Sequence, residues 1–143
     1  MLITTTDLYT VIYKVIIDQI IRNDETIITT AISNAIDEVK LYVTRYDILQ
    51  LFGDETTAPT VNSPVLKQFC VRIACWNIIC LANPNVNYDS IRSLYDRTIE
   101  QLKMIRDQKT QPAGWPYKDT TGQSAPKGSS VAASYIPKRS NNF

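Results

Sequence analysis

Nearly all of the Ile, Leu and Val in this 143-residue chain lies before Asp107. That grouping constrains the fold more than any other feature, because a core forms only where apolar side chains are dense along the sequence. Residues 108–143 instead hold four Pro, three Gly and five Ser, with very little aliphatic side chain. A segment of that composition cannot bury enough surface to offset the entropy of ordering it. The division predicts a helical domain over 1–107 and an extended, basic, Pro/Gly/Ser-rich C-terminal arm over 108–143. Charge divides at the same place. The first 107 residues carry 10 Lys+Arg against 13 Asp+Glu, a net of −3, and the arm carries five basic residues against Asp119, a net of +4. An acidic body and a basic arm suit different surroundings.

Within the body the hydrophobic pattern is helical. Thr6 and Asp7 open a first segment through Leu8, Val11 and Ile12, with a break near Tyr13. Val15, Ile16, Ile17, Ile20 and Ile21 form a second apolar group that ends at Arg22-Asn23-Asp24. Its β-branched run would also suit a strand, but no strand-like partner exists elsewhere, so a short helix is expected. From Glu25 to Tyr46, apolar side chains recur in steps of three and four, from Ile27 and Ile28 through Ala31, Ala35 and Val39 to Val43 and Tyr46. Ala31 and Ala35 leave room for another helix to approach closely. In Arg45-Tyr46-Asp47, Arg45 suits the negative end of that helix, Tyr46 packs inward, and Asp47 caps the next segment, Ile48 to Phe52.

Residues 53–62 read as a Thr-rich loop that ends in a strong start signal, with Ser63 as N-cap and Pro64 at the first helical position. The helix expected over Val65–Ala82 is apolar on almost every side, so it must be central or lie between the core and a neighbouring subunit. Asn83-Pro84-Asn85 ends it, and Asn87 or Asp89 starts a last helix with apolar positions Ile91, Leu94, Tyr95, Thr98, Leu102 and Ile105. The opposite face carries Arg92, Asp96, Arg97, Glu100, Lys103 and Arg106. Such a stripe is either a solvated helix face or a salt-bridged contact with an identical neighbour in a ring. The fold class expected is all-α, a small bundle of four to five helices with a long extended C-terminal tail.

The sequence offers no catalytic constellation. Without a single His, the commonest general base and the commonest metal ligand are both missing. Cys70, Cys75 and Cys80 recur every five residues, about 140° apart around a helix, so they cannot converge on one ion. They read as small core residues in a reducing compartment. There is no glycine-rich phosphate loop, and the carboxylates sit at helix starts or on polar faces. No enzymatic activity, cofactor or metal is expected. No stretch reaches roughly 18 uninterrupted apolar residues, and Met1 to Thr6 lacks a signal-peptide pattern, so a soluble, unprocessed chain without a membrane partner is expected.

The stretch Ala31-Ile32-Ser33-Asn34-Ala35-Ile36-Asp37-Glu38-Val39-Lys40-Leu41-Tyr42-Val43-Thr44-Arg45-Tyr46-Asp47, together with the order of elements, resembles the Mu-type head-tail connector proteins of tailed bacteriophages. Thr6-Asp7-Leu8-Tyr9 and Tyr95-Asp96-Arg97 through Leu102 are similar to that family's opening and closing helices, so the resemblance covers about residues 5 to 106. It implies a non-enzymatic virion protein at the head-tail interface, assembled in the host cytoplasm. The implied form is a ring of twelve identical subunits that docks on the portal protein and presents a platform for the next tail or neck protein. DNA would pass through the lumen without specific binding. The arm departs from the family pattern in being longer and richer in Pro and Lys.

Two sets of residues follow as candidates for contact. In the arm, Trp115, Tyr117, Tyr135 and Phe143 would act as aromatic anchors on a partner, with Lys118, Lys127, Lys138 and Arg139 as steering and rim contacts. On the last helix, Arg92, Asp96, Arg97, Glu100 and Lys103 would meet a neighbouring subunit. The competing reading is a nucleic-acid-binding module that uses the basic arm. Five basic residues over 36 give a weak footprint, and the body's negative charge opposes it. A helical adaptor unrelated to phage differs from the connector only through the resemblance.

Overall fold

The computed structural model describes residues 2–82 and 89–118. Among these the architecture is all-helical. A 3-10 helix, Thr5–Thr10, is followed by α1 (Lys14–Asn23), α2 (Glu25–Tyr42), α3 (Ile48–Phe52), α4 (Pro64–Ala82) and α5 (Asp89–Arg106). The central pair is α2 on α4; α5 lies against α4 and α2, α1 against α2, and the 3-10 helix against α4. Small side chains make the central contact close, since Ala31, Ala35, Cys70 and Ala74 are all fully buried.

Local chemistry sets most of the boundaries. Asp7 accepts from the Thr4 backbone N–H at 2.7 Å and so fixes the entry to the 3-10 helix. Asp24 separates α1 from α2 by accepting the Thr26 backbone N–H at 2.9 Å. Its carboxyl is held below the usual range, first by the Thr26 hydroxyl and then by that backbone N–H. Asp47 caps α3 by accepting from the Gln50 backbone N–H at 3.0 Å. Gly53 ends α3 at φ 70°, where a Cβ would lie 2.4 Å from the Thr57 carbonyl oxygen. Ser63 accepts from the Leu66 N–H at 3.3 Å and starts α4 with Pro64 in first position.

As expected, α4 is the central helix. Pro64–Leu81 is long and apolar enough to cross a membrane by length and mean hydropathy, and half of it is buried among its neighbours, as a core helix requires. Burial pushes the Cys70 and Cys75 thiols up to about 12. α5 is tied across both partners: Tyr95 stacks on Trp76 of α4 at 5.7 Å and donates to Glu38 Oε1 of α2 at 3.1 Å.

Two departures from the sequence expectation meet at one place. α2 ends at Tyr42, four residues before the expected Tyr46, although Val43 and Tyr46 are both buried. The helical pattern persists there because both side chains face the core. The backbone, however, uses other partners: Arg45 C=O accepts from Lys118 N–H at 3.0 Å, and Asp47 N–H donates to Pro116 C=O at 2.8 Å. These bonds satisfy groups a longer helix would have used. The second departure is the source of those partners. Packing continues past Asp107, where Gln108 at φ 63° turns the chain and Lys109 N–H closes α5 on Met104 C=O at 2.9 Å. The chain then returns over the start of α4 to form an isolated antiparallel bridge between Tyr117 and Tyr46.

Candidate partner-docking surface

The returning segment 109–118 is held by an aromatic cluster at the corner between α2 and α3. Trp115 is only 6% exposed. Its ring meets Tyr46 edge-on at 5.4 Å, and its Nε1 donates to Ser63 Oγ at 2.9 Å. One serine hydroxyl thus caps α4 and receives the indole. On the other side of Tyr46, Tyr117 stacks at 5.1 Å with an interplanar angle of 20°, in the range where offset aromatic pairs attract. Burial, with Tyr117 adding to it, raises the Tyr46 phenol above its ordinary value.

The structure therefore separates residues that the sequence groups together. Trp115, expected as an anchor for a partner, is part of the body's own core, because its indole is buried against Tyr46 and finds its hydrogen bond at home. Tyr117 is 52% exposed and Lys118 is exposed, so both present side chains at the point where the arm leaves the body. Thr44, Tyr46, Asp47, Ile48, Leu49 and Lys118 line a shallow depression there, and Leu49 is half exposed beside it. Lys127, Tyr135, Lys138, Arg139 and Phe143 lie outside the described residues.

All five candidate contact residues of α5, Arg92, Asp96, Arg97, Glu100 and Lys103, are exposed along one helix. Arg92 Nε and Asp96 Oδ2 lie 4.0 Å apart, an exposed pair worth at most about 1 kcal/mol. Arg97 comes close enough to Arg72 of α4 for its charge, after burial, to lower the Arg72 pKa. This face is polar and can carry contacts that depend on charge pattern more than on apolar area.

Two features were missed in the sequence. An apolar cleft of about 510 Å³ lies between the start of α4, the end of α5 and the returning segment. Ser63, read only as a helix cap, also holds Trp115. No sequence signal joins residues 52 positions apart, although an indole in a Pro/Gly segment was a hint, since Trp N–H groups usually find a partner when buried. Among the described residues no group of His, Cys, Asp or Glu could hold a metal ion. The described surface therefore combines the exposed Tyr117, an open apolar cleft and a charged helix face.

A family model described as Bacteriophage Mu, Gp36 matches residues 3–132, which takes in the body and the first part of the arm. No curated protein and no solved structure matches the chain.

Proposed function

The chain belongs to the bacteriophage Mu Gp36 family, and from that premise we propose that it is a structural virion protein, a head-tail connector without enzymatic activity. Its subunits form a ring of twelve that docks on the portal protein and links the capsid to the tail or neck. The arm reaches the portal or a neighbouring subunit, and the charged face of α5 meets the next copy.

The observation that carries this reading is how the arm is rooted. Trp115 and the Tyr46–Tyr117 bridge fix its first eleven residues to the body, so the remaining 25 residues, with Lys127, Lys138 and Arg139, leave from a defined point. That segment carries three Lys+Arg against Asp119, net +2, and the body with Lys109 and Lys118 carries 12 Lys+Arg against 13 Asp+Glu, net −1. A basic arm leaving a fixed point suits an adaptor that must find an adjacent protein in a set direction. Transit of DNA requires a lumen lined by acidic or neutral polar side chains, because a lysine-lined channel would grip phosphates.

The test is assembly with the purified portal ring. The full chain should join it in one large closed species by native mass measurement, and a chain ending at Lys118 should stay folded yet fail to bind. Equal binding by the shortened chain would remove the arm's role, and a full chain that stays monomeric beside the portal would remove the connector reading. Tight, salt-sensitive DNA binding by the monomer would favour a nucleic-acid module instead.

A further inference from the structure

The apolar cleft at the root of the arm is open and uncharged. Pro64, Val65 and Phe69 of α4, Met104 and Ile105 of α5, and Trp115 give it apolar walls. None of its lining residues is charged, although 20% of the chain is. At its rim Val65 is 51% exposed and Met104 43% exposed. A concave apolar site bounded by half-exposed side chains is the kind that binds apolar side chains of an extended segment.

The chain carries such a segment. Beyond Lys118 the only β-branched aliphatic residues are Val131 and Ile136, and both lie in the uncharged run 128–137 between Lys127 and Lys138. An uncharged segment matches an uncharged cleft, and the flanking lysines would stay in water. Distance allows it, since 13 residues separate Lys118 from Val131 and reach at most about 45 Å, against roughly 35 Å for the breadth of a body of this size.

We propose that this cleft is the docking groove for the chain's own arm, taking Val131 and Ile136 of the same molecule. The segment is tethered close to the groove, so it meets it at an effective concentration in the mM range, and a site of only about 0.1 mM intrinsic affinity would be filled roughly ten to one. A second copy at ordinary concentrations competes poorly with that. This is the state of the free subunit, from which a partner in the assembly would draw the arm; the proposal does not depend on the connector reading and is tested without the portal.

Met104 supplies the probe, because the only other methionine is Met1 and its methyl NMR signal can be followed alone. A nitroxide is attached to the full chain through Ser134→Cys in a Cys80→Ser background, Cys70 and Cys75 being buried. The Met104 signal should lose more than half its intensity relative to the reduced label, equally at all protein concentrations. Val131→Ser with Ile136→Ser should restore it. An undiminished signal, or a loss that survives the double substitution, overturns the proposal. So does a loss that fades on dilution and passes to unlabelled chains in a mixture, which would make a second copy the occupant.

Discussion

Trp115→Ala removes an indole that is 6% exposed and donates to Ser63 Oγ at 2.9 Å. A buried aromatic side chain withdraws about 150–250 Å² from water, worth roughly 4–6 kcal/mol at about 25 cal/mol per Å². That is an upper bound, since the unfolded chain already hides part of this surface. Measured Trp→Ala losses of about 3–5 kcal/mol agree. The lower end is expected here, about 3 kcal/mol, because the indole borders an open cleft and Ser63 keeps its bond to Leu66. Against a total of about 5–15 kcal/mol, that is a large share. The melting midpoint should fall by on the order of 10–20 °C, with a matching drop in the urea midpoint at unchanged slope. Truncation supplies the control: a chain ending at Lys118 should lose only the roughly 1.4 kcal/mol that a cleft filled ten to one supplies, and one ending at Asp107 should melt at least as low as Trp115→Ala. A loss below about 1 kcal/mol, typical of surface substitutions, would refute the reasoning and return Trp115 to the role of a free anchor.

Three further outcomes are expected. Thr98 is fully buried and its hydroxyl has no hydrogen-bond partner, so Thr98→Val should raise stability by up to about 1 kcal/mol; a clear loss in thermal unfolding would contradict this. The Tyr95 phenol is pushed up to about 12, first by burial and then by Glu38, and Tyr46 is raised as well. Their folded values exceed the ordinary tyrosine value near 10, so the stability they confer is complete below that pH and is lost as pH rises toward 12. Cys70 and Cys75, also pushed up to about 12 by burial, titrate on the same limb, so urea midpoints taken from pH 8 upward should fall, and Tyr95→Phe should remove only the tyrosine's share of the loss between pH 10 and 12. A thiol reagent should modify the exposed Cys80 in the native protein on the order of a hundredfold faster than the buried Cys70 and Cys75; equal rates would show that α4 opens readily.

The helices were legible wherever a short signal settled them. Asp24, Asp47 and the Ser63-Pro64 pair each mark a start by chemistry confined to four residues, and the structure places helices where they point. The end of α2 was not legible, because Val43 and Tyr46 keep the helical spacing while their backbone bonds go to residues 116 and 118. Composition misjudged the segment after Asp107 for a related reason. Counting aliphatic residues gives no weight to one indole, yet Trp115 has enough area and a specific enough N–H to hold eleven residues of Pro- and Gly-containing chain. Of the candidate contact residues, those on α5 were placed correctly on an exposed face by periodicity alone. Tyr117 and Lys118 owe their exposure to a bridge across 71 residues that no local pattern encodes.

The bridge between Tyr117 and Tyr46 also decides where force would go. A pull on the C-terminal end of the chain does not load the end of α5, where the sequence alone would put the joint. It arrives at Lys118 and passes through two backbone hydrogen bonds into the corner between α2 and α3, then through Trp115 into the first turn of α4. The two central helices of the core thus share the tension, and the turn at Gln108 stays slack until the indole is drawn out. Such a tether would yield in two stages, a short peel at the bridge and then a harder release at the tryptophan.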